Sequence, residues 1–154
     1  MYVLVCLTNV FISLHKLKQQ IVLSKRLEKD NGSVCKLSVD GTHFRIQEPT
    51  PFSPMWFSHK DKKPALKYEV ALCIQTGHIV WTHGPFPGSY HDVVIFRFGL
   101  KAALAPGERC EADKGYRGEF HTIDLPDECC TGNSLQKYSN NCINYINYFL
   151  IFEL

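Results

Sequence analysis

Two aspartates that precede a glycine are the residues best suited to do chemistry. Asp40 precedes Gly41 directly, and one lysine separates Asp113 from Gly115. Each aspartate follows a predicted strand, so its carboxylate sits on a rigid element and projects into a crevice. The adjacent glycine permits a sharp turn and the close approach of a bulky ligand. Asp-Gly is also a common turn sequence, so a plain turn stays open as the alternative.

The chemistry that two such aspartates favour is the binding of divalent cations. If the two strands are neighbours, the carboxylates can share Mg²⁺ or Mn²⁺, because these cations prefer hard oxygen ligands and keep phosphate oxygens as further ligands. Two metal ions about 3.5–4 Å apart can activate a water and stabilise the leaving oxygen of a phosphodiester. Zinc is disfavoured, because none of the seven cysteines forms a Cys-x-x-Cys pair.

The sequence patterns around these aspartates predict strands and a helix that form an α/β unit over residues 34–120. Alternating residues 35–39 predict a strand that ends in a turn at Asp40. Residues 67–75 and 78–83 predict two strands that form a hairpin across a Thr-Gly turn.

A helix and a fourth strand are predicted after the hairpin. Residues 91–104 predict a helix that Ser89 caps and whose first turn contains Asp92. Residues 109–112 predict a short strand that leads into Asp113. Both aspartates of interest are therefore expected at strand ends.

The flanking residues 1–33 and 121–154 differ in character from this unit. The first segment is an apolar start that turns basic, and its apolar run is shorter than the ~20 residues of a membrane-spanning helix. No basic residue precedes that run, as a secretory signal would require. The last segment is rich in Asn, Tyr, Cys and Ile and predicts a poorly ordered tail. The 154 residues suffice for one ordinary domain, and a net charge of +2 neither demands nor excludes a nucleic acid partner.

Five sequence words surround the candidate residues, in a fixed order. They are SVDGTH at 38–43, WFSHK at 56–60, KYEV at 67–70, GPFPGSYHD at 84–92 and EADKGYRG at 111–118. Together they resemble the DDE endonuclease family of PIF/Harbinger-type transposases and their domesticated relatives. The resemblance covers Leu37 to about Glu119, a little over half of the chain.

The resemblance implies a partial ribonuclease H-like fold, with a mixed sheet, flanking helices and three acids that bind divalent metal. The first acid of the family falls on Asp40 and the second on Asp113. Asp92 and His91 fall in a motif near the active site and are expected to support it, although stabilisation of a helix start is an equal alternative for Asp92. The third acid is a glutamate on a later helix, and no segment after Phe120 matches it. The C-terminal helices that cover the sheet are therefore expected to be missing.

The resemblance also implies DNA as the partner and a nuclear location. Phosphate contacts are predicted for Lys60, Lys62, Lys63, Lys67 and Arg117, and a solvated basic loop is the alternative. No helix-turn-helix pattern stands in the N-terminal segment, so a separate protein that recognises the DNA is left open as a partner.

Three functional hypotheses follow. The first is a metal-dependent endonuclease or strand transferase in which Asp40 and Asp113 are catalytic metal ligands, weakened or inactivated by the lack of a third acid. The second is a non-catalytic DNA- or protein-binding module descended from a transposase. The third is a chain with no stably folded product, which the apolar start and the Asn/Tyr-rich tail favour.

Overall fold

The computed structural model describes residues 21–29 and 32–125. They form a mixed sheet of six strands with two short α-helices and three 3-10 helices. The strands are β1 (Cys35–Arg45), β2 (Phe57–Ser58), β3 (Lys63–Cys73), β4 (Ile79–Pro87), β5 (Arg109–Ala112) and β6 (Ile123–Asp124). The α-helices are α1 (Asp92–Phe98) and α2 (Leu100–Ala103), and the 3-10 helices are η1 (Leu23–Leu27), η2 (Pro54–Trp56) and η3 (Lys114–Tyr116). The predictions for the apolar start and the tail fall mostly outside the described residues.

Strand β1 lies in the middle of the sheet. It pairs antiparallel with β3, from Leu37 opposite Cys73 to Arg45 opposite Ala65. On its other side it pairs in parallel with β5, which pairs in parallel with β6. Strands β2 and β4 both pair antiparallel with β3. The sheet therefore has an antiparallel half and a parallel half, and β1 belongs to both.

Strand β1 continues past the point where a turn was expected. The predicted turn at Asp40-Gly41 is wrong, because the chain stays extended to Arg45 and Asp40 lies opposite Val70 of β3. The local sequence has a turn composition, but the long partner strand β3 offers backbone hydrogen bonds that keep the chain extended. The parallel partner β5 ends at Ala112, so from Asp40 onward β1 is paired with β3 and no longer with β5.

The predicted hairpin is confirmed. Strands β3 and β4 pair antiparallel, and the amide of Cys73 donates to the carbonyl of His78 at 2.9 Å. Gly77 in the connecting turn has φ +71°, a left-handed conformation that glycine adopts without a steric penalty.

The predicted long helix is two short helices with Gly99 between them. The backbone of Gly99 has φ −129° and ψ −95°, and a Cβ atom there would lie 2.2 Å from Nδ1 of His83. The chain thus leaves the helical conformation where His83 packs against it. The predicted cap at Ser89 is also wrong, because α1 is preceded by His91 in the N-cap position.

The core lies between the sheet and these helices. Its fully buried members include Leu37 and Val39 of β1, Phe96 of α1 and Leu100 of α2. Tyr116 of η3 is also fully buried, in edge-to-face contact with Phe96. In the part of the chain that the structure describes, no helix is long and apolar enough to cross a membrane.

Candidate active site

Asp40 and Asp113 lie next to each other at the open end of the parallel strand pair. Val39 of β1 lies opposite Ala112, the last residue of β5, and the next residue of the chain after each of them is one of the two aspartates. Because the strands are parallel, both chains reach the same edge at the same register position. The condition for a shared cation, that the strands leading to the two aspartates are neighbours, is therefore met in the structure.

Each of these carboxylates accepts a hydrogen bond from the backbone of its own motif. The amide of Gly41 donates to Oδ1 of Asp40 at 2.7 Å, and the amide of Gly115 donates to Oδ1 of Asp113 at 2.8 Å. The second bond forms because Asp113 occupies the N-cap position of η3. Asp40 is partly buried and Asp113 is exposed.

The surroundings of Asp40 oppose its negative charge. Burial raises the pKa of Asp40, the Gly41 amide lowers it, and the charges of Asp113 and Asp92 raise it further, so that it reaches about 6. The ammonium of Lys60 acts in the opposite direction. A site that concentrates carboxylates in this way is one in which a divalent cation would be stabilised by hard oxygen donors. The chemistry of Asp40 and Asp113 therefore fits Mg²⁺ or Mn²⁺.

Asp92 lies over the two glycines of these motifs. A Cβ atom on Gly41 would lie 2.1 Å from Oδ1 of Asp92, and a Cβ atom on Gly115 would lie 3.1 Å from Oδ2. Neither glycine has a positive φ, so a tight turn does not require them. The missing side chains instead give the Asp92 carboxylate room between the backbones that carry Asp40 and Asp113.

Lys67 of β3 holds Asp92 in this place. Its ammonium donates to Oδ1 of Asp92 at 3.1 Å and to the carbonyl of Tyr90 at 2.7 Å. The Lys67 side chain is only 7% exposed. A buried ammonium that binds a carboxylate and a carbonyl is anchored inside the protein, which sets Lys67 apart from the other residues for which a DNA contact is predicted.

The remaining residues for which a DNA contact is predicted lie at the surface. Lys60 and Lys62 are exposed in the turn between β2 and β3, and Lys63 is exposed at the start of β3. Arg117 is exposed directly after η3. His91 is exposed and its side chain makes no capping hydrogen bond to α1. Contact with DNA stays a prediction for these four basic residues.

A buried acid beside the site was missed by the sequence reasoning. Glu69 of β3 is 1% exposed, and Nε1 of Trp81 donates to its Oε1 at 3.1 Å. Burial raises the pKa of Glu69 to about 7, although the hydrogen bond from Trp81 opposes the shift. No local pattern signals this burial. Glu69 shares a face of β3 with Lys67, and the opposite face, with Leu66, Tyr68, Val70 and Leu72, is the more apolar one.

The carboxylates do not form a complete metal site by themselves. Within residues 21–29 and 32–125, no three His, Cys, Asp or Glu side chains are arranged to hold a metal ion together. These residues supply two neighbouring aspartates, a third aspartate that binds Lys67, and a buried glutamate.

The comparisons with known proteins identify one family. The family model described as DDE superfamily endonuclease matches residues 39–145, well over half of the chain, and this range includes all three aspartates of the site. It extends into the segment after Phe120 in which no family motif was evident. Searches of curated proteins and of solved structures gave no match. With its two motif aspartates side by side at one sheet edge, the chain belongs to the DDE superfamily of endonucleases.

Proposed function

We propose that this chain is a metal-dependent DNA endonuclease domain of the transposase type, which hydrolyses phosphodiester bonds. The observation that carries the proposal is the parallel register that brings Asp40 and Asp113 together within a matched endonuclease family. DDE superfamily endonucleases depend in general on divalent metal and act on DNA. In the proposal Mg²⁺ or Mn²⁺ is the cofactor, DNA is the substrate and the nucleus is the location.

The strand order supports the finer assignment to a ribonuclease H-like fold. A central strand with an antiparallel hairpin on one side and parallel strands on the other agrees with the mixed sheet that the PIF/Harbinger resemblance implies. In such sheets, ligands bind beyond the carboxyl ends of the parallel strands, where Asp40 and Asp113 lie.

The residues of the site have separate tasks in this proposal. Asp40 and Asp113 hold the metal, which when bound activates water and neutralises the charge that develops on the phosphate. Lys67 holds Asp92, whose carboxylate lies against Gly41 and Gly115 beside the two ligands. The exposed Lys60 adds positive charge near Asp40, where a phosphate group is expected to lie.

No group of three metal-binding side chains occurs among the described residues and no third acid was matched to the family motif, so we propose low activity. Two carboxylates orient a metal less completely than three, and a loosely held metal stabilises a transition state poorly. Sequence recognition is assigned in this proposal to a separate DNA-binding partner.

The test begins with calorimetric titration of Mn²⁺ into the protein and into an Asp40→Asn, Asp113→Asn double variant. We expect binding to the unchanged protein and loss of binding in the double variant, because amides do not replace anionic ligands. Glu48→Gln is the matched control, since it removes one exposed carboxylate outside the site and should leave binding unchanged. The same proteins are then incubated with supercoiled plasmid and Mn²⁺, and cleavage that survives both substitutions would contradict the assignment.

A non-catalytic DNA- or protein-binding module is the second candidate. It is favoured by the finding that no set of three metal-binding side chains occurs among the described residues. This candidate predicts DNA binding that weakens with salt and persists in EDTA, with no cleavage product.

A further inference from the structure

Three polar side chains outside the carboxylate site form a closed hydrogen-bonded cluster. Nδ1 of His43 lies 2.7 Å from Oδ2 of Asp61, and the Ser58 hydroxyl lies 3.1 Å from the same oxygen. The amide of Asp61 donates back to Oγ of Ser58 at 3.1 Å. We call His43, Ser58 and Asp61 the turn clamp, because they join β1 to the turn between β2 and β3.

The hydrogen bonds define the protonation of the turn clamp. Burial lowers the pKa of His43, and Asp61 opposes that shift. Burial raises the pKa of Asp61, but the bonds from His43 and Ser58 outweigh it and hold the carboxyl below its usual range. A neutral imidazole beside an ionised carboxylate carries its proton on Nδ1 and donates to Asp61, and the Ser58 hydroxyl donates to the same carboxylate.

The turn clamp is not a hydrolytic triad. In a Ser-His-Asp triad the serine and the aspartate bind opposite ring nitrogens. Here Ser58 and Asp61 both lie at Nδ1 of His43, and Nε2 is buried without a partner among the described residues. Ser58 is also fully buried, so a substrate cannot reach its hydroxyl.

The clamped turn carries Lys60. Between Ser58 and Lys62 the chain reverses, with the amide of Lys62 donating to the carbonyl of Ser58 at 2.8 Å and a left-handed φ of 56° at Lys62. Such a conformation is uncommon for lysine and persists where surrounding contacts impose it. Lys60 is exposed in this turn, and its charge acts on the Asp40 carboxylate. The bond of Asp61 to His43 of β1 therefore restrains the backbone of the turn on which Lys60 stands.

We propose that His43, Ser58 and Asp61 are positioning residues that hold Lys60 beside the Asp40 edge, where its ammonium contacts a DNA phosphate. The proposal rests on the proposed DNA substrate and adds the residue that meets the phosphate and the residues that aim it. It also gives a task to His43 and Ser58, which belong to the first two sequence words but do not take part in the carboxylate chemistry.

The test is a double-mutant cycle between Lys60 and Asp61, read by DNA affinity. Fluorescence anisotropy of a labelled duplex is measured with Ca²⁺ in place of Mn²⁺, at several salt concentrations. We expect Lys60→Gln to weaken binding about three- to tenfold and to reduce the slope of log affinity against log salt by about 1, the amount for one phosphate contact. Asp61→Ala should produce the same losses although it removes a negative charge, and the double variant should be no weaker than either single variant.

Two further variants make the cycle decisive. Lys63→Gln is the matched control, since Lys63 is an exposed lysine in β3 outside the clamped turn, and its effect should add to that of Asp61→Ala. His43→Phe keeps a ring but removes the bond to Asp61. It should therefore weaken DNA binding as Asp61→Ala does, and it takes the place of Asp61→Ala in the cycle if that variant folds poorly. Removing a negative charge by itself should strengthen DNA binding. If the role of Asp61 were purely electrostatic, Asp61→Ala would therefore bind DNA more tightly than the unchanged protein, not more weakly.

The outcomes separate this proposal from the proposed function. If Asp61→Ala binds DNA as well as the unchanged protein does, or if its effect adds to that of Lys60→Gln, the turn clamp does not position Lys60, while the endonuclease assignment stands. If the unchanged protein does not bind DNA at any salt concentration, the proposed DNA substrate fails, and the phosphate contact of Lys60 fails with it.

Discussion

Replacing Gly41 with alanine should destabilise the protein through Asp92, a residue 51 positions away in the chain. The new Cβ atom would lie 2.1 Å from Oδ1 of Asp92, far inside any contact distance between real atoms. The Asp92 carboxylate is more easily displaced than the backbone of β1, which is paired on both sides at Val39 and along β3 beyond it. We therefore expect the carboxylate to move and its bond to Lys67 to break.

The size of the effect follows from the surroundings of Lys67. Loss of a hydrogen bond between charged groups costs about 1.5–3 kcal/mol, and the upper half of this range applies because the Lys67 side chain is only 7% exposed. Alanine in an extended strand returns about 0.5–1 kcal/mol relative to glycine, because it restricts the unfolded chain. The net change is a loss of about 2 kcal/mol in the free energy of unfolding.

The assay is urea unfolding followed by tryptophan fluorescence, since Trp56 and Trp81 both lie in the described fold. The cycle adds Asp92→Ala, which removes the atoms that the new Cβ would meet. In that background only the gain of about 0.5–1 kcal/mol from restricting the unfolded chain remains, so Gly41→Ala should be slightly stabilising, and the coupling between positions 41 and 92 should be about 2.5–3 kcal/mol. An equal cost of Gly41→Ala in both backgrounds would refute the reasoning and place its effect in the backbone of β1.

Two further predictions concern buried ionisable groups other than Asp40 and Asp113. Burial raises the pKa of Glu69 from its ordinary 4.5 to about 7, so the folded state holds a proton that the unfolded chain releases, and stability falls as pH rises through this window. The difference in free energy of unfolding between Glu69→Gln and the unchanged protein should therefore shift by about 2–3 kcal/mol in favour of the variant as pH rises from about 5 to about 8, measured by urea unfolding. A difference that does not change with pH would contradict this prediction. The second concerns Arg26 and Glu108, whose bonds measure 2.5 and 2.9 Å and whose side chains are 8% and 3% exposed. Glu108→Ala leaves the guanidinium buried and unpaired and should cost about 3–5 kcal/mol by the same assay, whereas an unfolding midpoint that stays in place would show that the pair contributes little.

The parts of the fold that local sequence patterns encode were predicted correctly. The β3–β4 hairpin follows from alternating residues around a Thr-Gly pair, and its positive φ falls on Gly77 as such a turn requires. The short strand β5 was predicted at its observed bounds, Arg109–Ala112. These features depend on residues close together in the chain, so a single sequence contains the information.

The errors share one cause, which is a contact with a distant part of the chain. Asp40-Gly41 is turn-like in composition but extended in the structure, because β3 pairs with it. Gly99 interrupts a helical pattern because His83, on β4, takes the space of its side chain. Local preferences are weak, on the order of 1 kcal/mol or less, and a strand pairing or a close packing contact overrides them.

For the site too, the features set by nearby residues could be predicted from the sequence, and those set by distant residues could not. The positions of Asp40 and Asp113 were predictable, since each follows a recognisable strand and carries a glycine nearby. The reason for Gly41 was not, because it lies in the carboxylate of Asp92, which arrives from α1; at Gly115 the carboxylates of Asp113 and Asp92 both occupy the space. The sequence favoured a turn or a bulky ligand, and the structure shows a side chain of the protein itself in that space.

The charge balance of the three aspartates separates their roles. Asp92 has a buried cation within hydrogen-bonding distance, so its charge is largely compensated and its orientation fixed. Around Asp40 the charges of Asp113 and Asp92 add to the burial that disfavours ionisation, and the exposed ammonium of Lys60 opposes them. A carboxylate already bound by an internal ammonium is a poor choice for a metal ligand, whereas two neighbouring carboxylates that repel each other gain most from a shared divalent cation. Lys67→Met should therefore disturb the placement of Asp92, whereas substitution of Asp40 and Asp113 should abolish the proposed cation binding.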